Sequence, residues 1–85
     1  MRLVVVYREK SDHRMAVETF LRDFQKQTGH EVEILSPDTR EGTTFAKSYD
    51  IVEYPTLISI GPDGVPLQVW RGLPFPTISE VSFYA

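Results

Sequence analysis

The apolar positions of this chain change their spacing five times, and each change marks a new kind of element. Residues 2–7 (RLVVVY) hold consecutive aliphatic side chains without polar alternation, the pattern of a short strand covered on both faces. From residue 17 the spacing becomes helical, with Val17, Phe20, Leu21 and Phe24 at i, i+3, i+4 and i+7 and Glu18, Arg22 and Lys26 on a charged flank. Ser11 or Asp12 is expected to cap this helix, and Gly29 to end it in a left-handed conformation. Glu31 to Leu35 alternates like an edge strand. A second helix is expected from Thr39 to Tyr49, opened by Asp38 with Glu41 three residues on as a capping box, and carrying Phe45, Ala46 and Tyr49.

The second half of the chain returns to strand spacing. Thr56–Ile60 and Val65–Arg71 flank Gly61-Pro62-Asp63-Gly64, a turn composition that predicts an antiparallel hairpin. Leu67, Val69 and Arg71 alternate with Gln68 and Trp70, the pattern of an outer strand. Leu73-Pro74-Phe75-Pro76 excludes regular structure, and Thr77 caps a last short helix with Ile78 and Val81. The predicted order is β-α-β-α-β-β-α in one α/β domain spanning residues 1–85. Its first two strands should be parallel, because a helix separates them, and its last two antiparallel.

Composition narrows the chemistry. The 85 residues are 41% hydrophobic and 25% charged with a net charge of -3, so no positive field favours nucleic acid. The apolar run LVVVY is too short for a membrane span or a signal-peptide core, and a cytoplasmic protein is the expectation. There is no cysteine, which removes disulfides, thiolate metal sites and every thiol-based redox step from this chain. His13 and His30 lack a third ligand at metal spacing, so neither a metal nor another cofactor is expected.

The element order, together with SYDIVEYPTLISIGPDGVPLQVWRG from Ser48 to Gly72, resembles the C-terminal half of thioredoxins. Tyr49, Ile51, Tyr54-Pro55-Thr56, Gly64 and Gly72 match that family's pattern of an aromatic and an aliphatic residue leading into an apolar-Pro-Thr step, then a hairpin and a glycine. The resemblance covers nearly the whole chain and implies a minimal thioredoxin-like fold, a four-stranded mixed sheet with helices on both faces. It also implies that Pro55 is cis and lies beside the start of the first helix, where thioredoxins pair their exposed backbone with an extended peptide or with glutathione. The groove carried over to this chain comprises Ser11, Asp12, His13, Arg14, Tyr54, Pro55, Thr56 and Gly72.

Two parts of the family's redox apparatus are missing. Its Cys-x-x-Cys positions fall on Ser11 and Arg14 or, in the other register, on Asp12 and Met15. Its buried carboxylate has no counterpart in Val4-Val5-Val6. Thiol–disulfide exchange is therefore excluded, since the thiolate is the attacking group. Ser11, Asp12 and His13 are consecutive and point in different directions, so they cannot form a nucleophile–base relay.

The leading expectation is a non-redox protein- or peptide-binding module. One alternative is a glutathione-binding or glutathione-transferase-like activity using Ser11, weakened because Thr56-Leu57-Ile58 follows Pro55 where those enzymes place an acidic residue and a serine. Another is a purely structural homo-oligomer: most of Trp70, Phe75, Phe83 and Tyr84 are expected in the core under the last helix, but Trp70 and Phe75, if exposed instead, would anchor a homodimer or partner contact. Residues 8–14 sum to +1 against -4 for the remainder, so Arg8, Lys10 and Arg14, joined by Arg71, are candidate anion contacts at the helix N-terminus.

Overall fold

The computed structural model describes residues 1–85 and contains seven elements: β1 (Arg2–Val6), α1 (Arg14–Thr28), β2 (Glu33–Leu35), α2 (Arg40–Ser48), β3 (Thr56–Ile60), β4 (Pro66–Arg71) and α3 (Ile78–Phe83). The four strands form one sheet in the order β2-β1-β3-β4. β1 runs parallel to β2 and antiparallel to β3, and β3 runs antiparallel to β4. The minimal thioredoxin-like arrangement expected from the sequence is the one observed.

The valine run explains the layering. Side chains alternate across a strand, so β1 sends Leu3, Val5 and Tyr7 to one face and Val4 and Val6 to the other, and all five are buried. On the first face they meet Leu57, Val17 and Phe24 of α1, and Val81 of α3. On the second they meet Ile58 and Ile60, Ala46 of α2, and Ile51. Helices thus cover both faces, and the strand interior needs no polar alternation. Ser59, buried on β3, donates its hydroxyl hydrogen to the Tyr84 carbonyl at 2.8 Å, tying the end of α3 to the sheet.

Several boundaries differ from the sequence expectation. β2 begins at Glu33 rather than Glu31, because β1 offers it only three partners, Val4, Val5 and Val6. β4 begins at Pro66, one residue late, and carries a bulge opposite Ser59 and Ile60 that leaves Leu67 out of register. The N-cap of α1 is neither Ser11 nor Asp12 but His13, whose side chain makes no capping bond. At α2 the cap is Thr39, which accepts from the Gly42 N–H at 3.0 Å; the third helical position is therefore Gly42, and Asp38 and Glu41 form no capping box.

Gly42 has a steric reason to be glycine. A β-carbon there would lie 1.7 Å from the Ser36 carbonyl oxygen. Gly29, by contrast, has φ of +76° with open space around it, and its N–H closes α1 on the Gln25 carbonyl at 2.8 Å. Two different penalties follow. Gly42→Ala should destabilise the fold by about 3 kcal/mol through overpacking against backbone, whereas Gly29→Ala should cost only about 1 kcal/mol for the left-handed conformation. Urea unfolding of both variants measures the difference.

Candidate functional site

The sheet register brings residues 7–8 and the Pro55 loop together. β1 and β3 pair through Val6 and Thr56, so the chain leaving β1 at Tyr7 passes beside the chain entering β3 at Pro55. The Tyr54–Pro55 peptide is cis, as is Leu73–Pro74. Gly72, with φ of +73°, donates its N–H to the Pro55 carbonyl at 2.8 Å and fixes the third wall. A β-carbon on Gly72 would also meet Glu53 Oε2 at 3.0 Å.

Residues 8–13 close on themselves. The Arg8 N–H donates to His13 Nε2 at 3.1 Å, and the Ser11 hydroxyl donates to the Arg8 carbonyl. Both backbone groups of Arg8 are therefore satisfied by side chains from the same turn. This turn also explains the missing cap of α1: the Ser11 oxygen faces back toward β1 and is not over the helix end. Asp12 and Lys10 are exposed and make no side-chain hydrogen bond.

The positive patch expected at residues 8–14 is compensated from elsewhere in the chain. Arg8 Nε lies 3.3 Å from the Asp38 carboxylate, and its guanidinium sits 5.2 Å from the centre of the Tyr54 ring. Arg14 pairs with Glu18 at 3.2 Å, one helical turn on. Arg71 donates weakly to the Asp50 carbonyl at 3.5 Å. These pairs are solvent-exposed and contribute a few tenths of a kcal/mol each, but they leave Lys10 as the one expected anion contact without a partner.

Glu18 takes a second role. The Tyr7 hydroxyl donates to its Oε2 at 3.1 Å. Burial, then the bond to Glu18 and its charge, push the Tyr7 phenol above its ordinary range.

Two hollows matter here, one lined by the segment that follows Gly72 and one that includes Tyr54. The larger, about 560 Å³, lies between the start of α1 (Ala16, Thr19, Phe20) and Leu73-Pro74-Phe75-Pro76, immediately after Gly72. Its lining carries no charge. A smaller one of about 330 Å³ lies on the α2 side, bordered by Ala46, Ile51, Val52 and Tyr54. Sequence reasoning singled out Phe75 but missed the contribution of Ala16, Thr19 and Leu73. Their signal was the apolar run after Gly72 and an exposed Met15 in the first turn of α1, 75% accessible.

The expected interface anchors are drawn inward. Trp70 is partly buried against the first core, donates its indole N–H to Glu80 at 2.7 Å and meets the Tyr84 ring edge-on. Phe75 packs against Phe20 with ring centres 5.0 Å apart. No group of His, Asp and Glu side chains is placed to hold a metal ion, and no helix is long and apolar enough to cross a membrane.

No family model matches the chain, and no curated protein matches its sequence. Among solved structures, it is similar to thioredoxin 1 from the thermophilic eubacterium Thermosipho africanus TCF52B, with a TM-score of 0.68 and 17% sequence identity over 99% of this chain and 89% of that chain. The chain has the thioredoxin-like fold, without its cysteines.

Because the folded state holds the Tyr7 proton more tightly than the unfolded state, Tyr7 stabilises the fold below the usual phenol range near pH 10 and loses that contribution as pH rises through its folded value. Tyr7→Phe should cost about 1 kcal/mol at neutral pH, the worth of one hydrogen bond. It should also flatten the alkaline decline in stability, read by denaturant unfolding between pH 8 and about 11.

Proposed function

We propose that the chain is a non-redox protein- or peptide-binding module that takes an extended, apolar segment against Tyr54. One observation carries this reading: the Tyr54 N–H and C=O make no hydrogen bond within the protein, whereas the Glu53 and Pro55 carbonyls on either side accept from the Thr56 hydroxyl and the Gly72 N–H. A strand laid against Tyr54 would satisfy both groups by β-augmentation, which needs backbone and no thiol. The 560 Å³ uncharged hollow beyond Gly72 would receive an apolar side chain of the same segment.

The rival readings fit less well. A glutathione-type role needs the Ser11 hydroxyl to donate to a thiolate, and that hydrogen is donated to the Arg8 carbonyl. The residues after Pro55 that would have to grip the γ-glutamyl end are the buried strand Thr56, Leu57 and Ile58. Oligomer formation through the β4 edge meets Pro66, which has no N–H, and Val69, whose N–H is taken by Gln68 Oε1 at 3.1 Å.

The test is a residue-resolved NMR titration with a library of extended apolar peptides, glutathione and sulfate. Peptides should shift Tyr54, Gly72 and Ala16 together, and glutathione and sulfate should leave them unmoved. Ala16→Asp puts a charge into the hollow at an exposed helical position where aspartate suits the N-terminal turn, so the fold is kept. It should weaken peptide binding by about tenfold or more, the cost of one poorly placed charge. Glutathione shifts at Ser11 that vanish in Ser11→Ala would establish the rival, and peptides that leave Tyr54 silent would overturn the groove.

A further inference from the structure

We infer that His13 is a pH-sensitive latch on the 8–13 loop, closed when its imidazole is neutral and opened by protonation. The inference concerns the loop itself and stands apart from what the groove binds.

The geometry dictates the chemistry. An N–H donor of Arg8 faces His13 Nε2 at 3.1 Å, so that nitrogen carries its lone pair and the ring proton resides on Nδ1. When a solvent proton adds to the Nε2 lone pair, the nitrogen becomes a donor, two N–H groups oppose each other, and the bond that closes the loop is lost. The Ser11 bond to the Arg8 carbonyl cannot hold the loop from the N–H side.

Several charged groups lie around His13, and none is hydrogen-bonded to its ring. His13 is the N-cap of α1, at the positive end of a fifteen-residue helix with no acidic residue in its first turn. On its own element stand Arg14 and Glu18, and the Glu18 carboxylate already receives Arg14 and the Tyr7 hydroxyl. From β1, Tyr7 presents its ring edge-on with centres 6.1 Å apart, as a neutral phenol. Arg8 follows, its guanidinium held by Asp38 ahead of α2 and by the Tyr54 ring. Glu9, Lys10 and Asp12 of the loop make no hydrogen bond to the imidazole, and Glu53 of the Pro55 loop lies against Gly72.

Opening the latch frees the Arg8 N–H, while the Arg8 guanidinium stays between Asp38 and the Tyr54 ring. Acid therefore loosens the 8–13 loop while the sheet stays intact. The device is local, because the cores on both faces contain no titrating group except the Tyr7 phenol.

The experiment follows the imidazole nitrogens and the backbone amides of the full chain by NMR from pH 8 to pH 5, the range in which imidazoles titrate. At pH 8 His13 should be the Nδ1–H tautomer. On acidification the Arg8 amide should shift with the same midpoint as the His13 ring. Its exchange protection, corrected for the intrinsic pH dependence, should fall about fivefold or more, as expected for losing one hydrogen bond of about 1 kcal/mol. His13→Gln places an amide oxygen, which does not titrate, near the Nε2 position and should leave Arg8 unchanged across the range. An Nε2–H tautomer at pH 8, an Arg8 amide that ignores the His13 transition, or an equal response in His13→Gln would overturn the latch. Should His13→Gln fail to fold, the tautomer and the wild-type transition still decide.

Discussion

Everything in this small domain hangs on the pairing of β1 with β3. Both strands are buried on both faces, one built from Leu3-Val4-Val5-Val6 and the other from Thr56-Leu57-Ile58-Ser59-Ile60. With no polar face to orient them, they are placed by their hydrogen-bonded register and by the helices that cover them. That register sets Tyr7 beside Pro55, and so fixes where the exit of one strand and the entry of the other must meet. Whatever the chain does at this end of the sheet, it does with the residues that these two strands deliver.

What they deliver is a closed loop beside the Tyr54–Pro55 step: Ser11 and His13 satisfy the two backbone groups of Arg8, and Asp38 and Glu18 pair with Arg8 and Arg14. The local positive charge is thus compensated in part within the chain, while the adjacent Tyr54 N–H and C=O stay without a partner in the protein.

Much of the frame was legible because it rests on local periodicity. The valine run, the i, i+3, i+4, i+7 set of α1, the turn at residues 61–64 and the Thr77 cap of α3 each depend on neighbours within a few residues. The features that were not legible depend on distant ones. Asp38 reaches Arg8 across 30 positions, so the charge of residues 8–14 taken alone misleads. Gly42 is glycine because of the Ser36 carbonyl, and nothing in its own helix announces that. Trp70 is expected under the last helix, but its partners there, Glu80 and Tyr84, lie at least ten positions on and could not be read from its own strand. Ser11 has the composition of a cap, yet its hydroxyl turns to the strand because Arg8, three residues earlier, leaves a carbonyl that nothing else satisfies.

The central claim is that binding at this end of the sheet uses the Tyr54 backbone. The most direct measurement is an isotope-filtered NOE spectrum of the labelled domain with an unlabelled bound peptide. The account predicts contacts from the Tyr54 amide and α-protons to backbone protons of the peptide, in the spacing of paired strands. A peptide whose contacts lie wholly on other surfaces, with Tyr54 giving none, would contradict it.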